Sequence, residues 1–276
     1  MKRVLTAVVL LPPVLAAVFL LPPVWFLLVV VGIVAVAVWE YVRLTGRWAP
    51  GSPRWHVLAT VPAAAALIAG ALVAVDAGWG ERSLLFGTIV LLSIGVGILL
   101  LVGRTPVEES AAAFGIVGWG TAYFAAAAVG LWALQASDPW LLILLCAVVW
   151  LGDSAAFYVG SRFGRHSLAP IVSPRKTWEG AAANAVAALL AATGWCLWIL
   201  SEIDGRVLVV ALATSAAGQV GDLVESMFKR GAGVKDSGSI LPGHGGMWDR
   251  LDALLFAAPV LLLGLGLLGL TGGVGR

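Results

Sequence analysis

The chain has 276 residues, 61% of them hydrophobic and only 12% charged, with a net charge of +2. Soluble domains carry about 25% charged residues, so the composition excludes an ordinary water-soluble enzyme or a nucleic-acid-binding module and indicates a polytopic membrane protein. Its two cysteines, Cys146 and Cys196, lie inside apolar stretches, which suggests neither a disulfide framework nor a zinc site.

Apolar runs of spanning length, about 20 residues, fall at 4–21, 22–39, 56–75, 83–103, 111–134, 139–161, 178–200, 206–228 and 247–270. The expectation is an all-α protein with about nine transmembrane helices. Pro22-Pro23 joins the first pair. The first run resembles a signal peptide behind Met1-Lys2-Arg3, but a second span follows almost at once, so a retained helix is expected. Basic residues set the orientation. With the N-terminus in the cytoplasm, only Arg82, Arg206 and Arg276 of the 17 Lys and Arg residues fall on the outer side. The two longest polar connections, 162–177 and 229–246, then both face the cytoplasm. The spans of residues 1–135 are almost free of charge and read as a lipid-facing scaffold that supplies dimer contacts. Residues 136–276 carry Asp153, Asp222, Glu225, Asp249 and Asp252 in or beside their helices.

A charge in hydrocarbon costs roughly 2.5–3.5 kcal/mol on insertion scales, so charges retained here call for a use. In span 206–228 and just past it, Asp222, Glu225, Ser226 and Lys229 recur at helical spacing and share one face. Span 247–270 opens with Asp249 and Asp252, three apart. Two acidic stripes at one membrane surface offer hard oxygen ligands suited to magnesium, which binds one or two carboxylates together with substrate phosphate. Structural ion pairs with Lys229, Arg230 and Arg250 are the alternative. Between the stripes, Pro242-Gly243-His244-Gly245-Gly246 leads into a helix start, an arrangement that lets backbone N–H groups approach an anion. A sharp turn would need the same glycines. Lys235 and Asp236 precede it, adding a cation and a carboxylate.

In the other connection, Ser173 or Thr177 could cap the following helix, with Glu179 in its first turn. Arg175 and Lys176 could equally be positive-inside anchors or a second phosphate clamp. Asp153, within a span, needs a partner or a water-filled cavity.

The run Ser226-x-Phe228-Lys229-Arg230-x4-Lys235-Asp236-x-Gly238-x2-Leu241-Pro242-x-His244-Gly245-Gly246-Met247-x-Asp249-Arg250-Leu251-Asp252 resembles the signature of phosphatidate cytidylyltransferases, or CDP-diacylglycerol synthases, and every specified position is filled. The segments 153–160, 173–180 and Gly221-Asp222-Leu223-x-Glu225-Ser226 are also similar to that family's. The first 100 residues match in character alone, including Trp39-Glu40-Tyr41 at the close of a span. Phe157 stands where a tyrosine is expected.

The resemblance implies a dimeric enzyme of the inner (plasma) membrane with its site facing the cytoplasm. It would join phosphatidic acid to CTP, releasing pyrophosphate, with Mg2+ and a monovalent cation such as K+ as cofactors. By position it implies Asp222, Asp249 and Asp252 as metal ligands, with Lys229 beside them in catalysis. Substrate-binding roles fall to Asp153, Ser173, Lys176, Thr177, Ser226, Arg230, Lys235, Asp236, His244, Gly245, Gly246 and Arg250. A secondary transporter is the reading from another class; transporters often show two matched halves, whereas here the charged elements all fall in one half. A CDP-alcohol phosphotransferase would need an Asp-Gly-x2-Ala-Arg arrangement that the chain lacks. A CTP-dependent lipid kinase would release CDP in place of pyrophosphate.

Overall fold

The computed structural model describes residues 12–51, 94–240 and 245–270. The expected spans 56–75 and most of 83–103 lie outside them, as do much of 4–21 and the segment 241–244 with His244. Among the described residues, six helices are long and apolar enough to cross a membrane. The protein is an all-α, polytopic membrane protein.

Helix α1 (Pro23–Thr45) starts with proline in its first turn, where the missing N–H costs nothing. Phe26, Val30, Val34, Ala37, Val38 and Tyr41 recur at helical spacing and form its buried face. It runs past the expected boundary at residue 39. Glu40, at the expected close of the span, is buried against backbone donors, and the Arg43 guanidinium lies 4.7 Å from the Trp39 ring centroid. Helix α2 (Ser110–Ser137) follows a 3-10 turn at Val107–Glu109. Its small residues permit close approach: a Cβ added at Gly130 would meet the Pro259 nitrogen at 2.9 Å.

Helix α3 (Pro139–Phe163) is capped by Asp138, whose carboxylate accepts from Trp140 N at 2.9 Å. The connection after α3, read from sequence as a loop, folds into an antiparallel hairpin of β1 (Ser167–Ala169) and β2 (Ser173–Thr177). Thr177 then caps α4 (Trp178–Trp195) by accepting from Gly180 N. A π-helical turn, Cys196–Leu200, prolongs α4. Helix α5 (Gly205–Gly231) is capped by Asp204, and hydrogen bonds from Arg206 hold that carboxyl below its usual range. Helix α6 (Trp248–Leu267) completes the bundle.

Consecutive helices pack side by side, α3 on α4 and α5 on α6, and α6 also lies against α2. The α5–α6 contact is tightest beside the acids: a Cβ at Gly221 would meet the Asp252 carbonyl oxygen at 2.7 Å. Behind that contact, Tyr41 is surrounded by Trp119, Phe124, Phe228 and Trp248, with ring centroids 5.4–5.7 Å away. Such aromatic pairs contribute about 0.5–1.5 kcal/mol each beyond their burial. They make a stiff floor beneath the polar end of the bundle.

Candidate active site

The C-terminal turns of α5 meet the first turns of α6, so both acidic stripes stand at one end of the bundle. Ligand oxygens of Asp222, Glu225 and Asp252 lie within 4.8 Å of one another. Asp153, from α3, is close enough for its charge to act on Asp222 and Asp252. Asn184 on α4 holds it, donating to Asp153 Oδ1 at 3.3 Å while its own oxygen accepts from Ser215 Oγ at 2.5 Å. Three helices thus contribute acids here, α3 with Asp153, α5 with Asp222 and Glu225, and α6 with Asp252.

Two lysines balance this charge. Lys176 projects from the hairpin to Asp222 at 2.6 Å. Lys229 pairs with Glu225 one helical turn back and with Asp249 at 2.7 Å. Ser226 donates a long hydrogen bond of 3.4 Å to Asp222. Glu225 is 1% exposed, and among the described residues neither of its oxygens has a hydrogen-bond donor in good geometry; Lys229 reaches it as an ion pair. A buried carboxylate needs a counter-charge, and Lys229 supplies it here.

Asp249 is placed differently from Asp252. Its Oδ2 accepts from Ser237 N at 2.9 Å, Ser237 Oγ at 3.0 Å and Gly246 N at 2.7 Å, while Oδ1 accepts from Lys229. It ties the connecting loop to the start of α6. The acid drawn into the close triad with Asp222 and Asp252 is Glu225, which sequence reasoning put on the right helical face but not among the metal ligands.

The remaining expected residues lie around this centre. Arg230 donates to the carbonyls of Val172 and Val234, joining the hairpin to the loop after α5. Lys235, Asp236 and Arg250 are exposed, Gly246 is buried, and Gly245 adopts a φ of +80°, which glycine tolerates best. Thr177 is occupied as a cap and Ser173 opens β2. Glu40 was missed as a contributor from the first half. It is fully buried and accepts from Ser237 Oγ, Met247 N and Trp248 N. A charged residue closing an apolar span was its sole sequence signal.

Lys229→Ala would leave Glu225 buried without its counter-charge, and removing one partner of such a pair costs about 3–5 kcal/mol. Both a lowered thermal midpoint in detergent and a weaker response to nucleotide are expected; an unchanged nucleotide dependence would remove Lys229 from phosphate binding.

The chain is 49% identical over 117 residues to a phosphatidate cytidylyltransferase of Bacillus subtilis (strain 168), covering 42% of this chain and 44% of the relative. It is 41% identical over 131 residues to one from Haemophilus influenzae, covering 44% of this chain and 46% of the relative. A Brucella suis relative of the same name is 41% identical over 152 residues, covering 53% of this chain and 56% of the relative. The chain thus spans about half the length of the curated relatives it matches. The model of the cytidylyltransferase family matches residues 1–268, and the chain belongs to that family.

Proposed function

We propose that this protein is a phosphatidate cytidylyltransferase, making CDP-diacylglycerol and pyrophosphate from phosphatidic acid and CTP. The observation that carries the reading is the convergence of Asp222, Glu225 and Asp252 between two lysines at the α5–α6 junction. The donor set is all carboxylate, which suits a hard divalent cation. Asp222 and Asp252 would hold Mg2+, with Asp249 and Glu225 beside them, and a monovalent cation such as K+ would share the same acids. Magnesium bound there supplies charge neutralisation at phosphate oxygens.

The chain's own residues account for the rest. The phosphate of phosphatidic acid is the nucleophile. One of its oxygens bonds to the α-phosphorus of CTP as the bond to the bridging α–β oxygen breaks, and pyrophosphate leaves with that electron pair. A phosphate monoester is already ionised near neutral pH, so a strong general base is unnecessary. Lys176 and Lys229 are placed to exchange carboxylate partners for phosphate oxygens, offsetting negative charge as it builds. Lys235 and Arg250 are exposed cations near the start of α6 and would add positive charge for a triphosphate, while Arg230 and Gly246 hold the hairpin and the loop in place. Asp153, held by Asn184, would add a further carboxylate to the acidic group. Ser173 and Thr177 belong to the hairpin that presents Lys176, so their part in binding acts through its placement.

The charge bias argues for a cytoplasmic site in the inner membrane, where CTP is available, and the family resemblance for a homodimer. Purified protein in detergent, given labelled CTP, phosphatidic acid and magnesium, is expected to form a CDP-lipid with equimolar pyrophosphate. Formation of CDP with a newly phosphorylated lipid would instead indicate a lipid kinase.

A further inference from the structure

Glu40 sits in the half of the chain whose spans are otherwise almost uncharged, and its neighbours in space come from some 200 residues away. Its carboxylate uses both oxygens. Oε1 accepts from Met247 N at 3.1 Å; Oε2 accepts from Trp248 N and Ser237 Oγ, each at 2.9 Å. These partners mark the beginning of α6. Met247 is that helix's N-cap and makes no side-chain capping bond of its own. A helix start leaves amide N–H groups without intrahelical acceptors and presents a partial positive charge. Here an acid from a distant helix supplies the acceptors.

The fit is close. A Cβ at Gly246 would collide with Ser237 Oγ and both Glu40 oxygens, and one at Gly238 would collide with Glu40 Oε1. Both glycines leave room for the carboxylate. Tyr41, the next residue, is clamped among four aromatic rings, so the backbone that carries Glu40 has little freedom. Ser237 completes the connection. Its single hydroxyl lies between two carboxylates, 2.9 Å from Glu40 Oε2 and 3.0 Å from Asp249 Oδ2, and its amide donates to Asp249. From α1 to the acid that faces Lys229, the path is Glu40, Ser237, Asp249.

We infer that Glu40 is a positioning residue: it caps α6 from another helix and, through Ser237, sets the carboxylate of Asp249 against Lys229. This rests on the cytidylyltransferase reading for its catalytic consequence, though not for the latch itself. Glu40→Gln keeps the shape of the side chain but turns an NH2 toward one group of donors, so it can satisfy Oε1's partner or Oε2's partners, not both.

Hydrogen–deuterium exchange on the detergent-purified protein tests the latch without any substrate. In Glu40→Gln, faster exchange is expected at Met247 and Trp248 and also at Ser237 and Gly246, whose amides donate to Asp249 and not to Glu40. Ser237→Ala, which removes a hydroxyl alone, is expected to speed exchange at Gly246. In the CTP assay, kcat per folded molecule should fall about 10–100-fold in Glu40→Gln, as when partners behind a metal-site acid are lost. Ser237→Ala should also lower kcat, and its combination with Glu40→Gln should lose less than the product of the two single losses. Exchange confined to Met247 and Trp248, or an unchanged kcat, would overturn the inference. If the wild-type protein made no CDP-lipid, the functional reading would fall, while the exchange pattern would still decide whether the latch exists.

Discussion

Asp249→Asn is expected to cut turnover by about 10²–10³-fold, the loss typical when one preorganised electrostatic contact is removed from a site. The substitution is isosteric, so helix α6 should still form and insert. What changes is the acceptor set. Asp249 takes Lys229 on one oxygen and three donors from Ser237 and Gly246 on the other. An asparagine must aim its NH2 at one of these groups. Turned toward Lys229, it repels the ammonium; turned toward Ser237 and Gly246, it frees the loop. Steady-state rates on protein of verified monodispersity decide the matter, and a wild-type rate would remove Asp249 from the reaction.

A larger loss, about 10³-fold or more, is expected for Asp252→Asn, since a cation's charge stabilisation is worth several kcal/mol in the transition state. Asp252 stands in the triad with Asp222 and Glu225 and, among the described residues, has no lysine ion pair like that of Asp249. Its rate should recover partly at raised magnesium, because a weakened site can still be filled by mass action. Asp249→Asn should recover much less, its defect being one of placement. Titrating magnesium against rate for both variants separates the two roles; identical magnesium curves would show that the acids act alike.

The polar end of this bundle was half legible in the sequence. Asp222, Glu225, Ser226 and Lys229 lie along a single helix, where 100° per residue fixes their common face, and the structure keeps them together. Asp249 and Asp252 show the limit of that reasoning. Three residues apart, they diverge by about 60° around the axis, enough for one to turn to the loop and Lys229 while the other turns to Asp222. Helix rotation sets which goes where, and helices that are apolar all round carry little pattern from which to read it. The Lys176–Asp222 pair depends on a hairpin whose strands are three and five residues long, too short to show alternation. Glu40 was the least legible of all, because its role comes wholly from partners at the far end of the chain. By contrast, the helix cap at Thr177, one of two candidates with Ser173, follows from residue type and local spacing.

The most direct measurement is binding of Mn2+, a paramagnetic stand-in for magnesium, to protein in lipid nanodiscs, followed by electron paramagnetic resonance with CTP present. The expected result is a saturable site in the wild type that is weakened at least tenfold in Asp222→Asn and in Asp252→Asn. Equal Mn2+ binding by wild type and both variants would contradict a cation held where α5 meets α6.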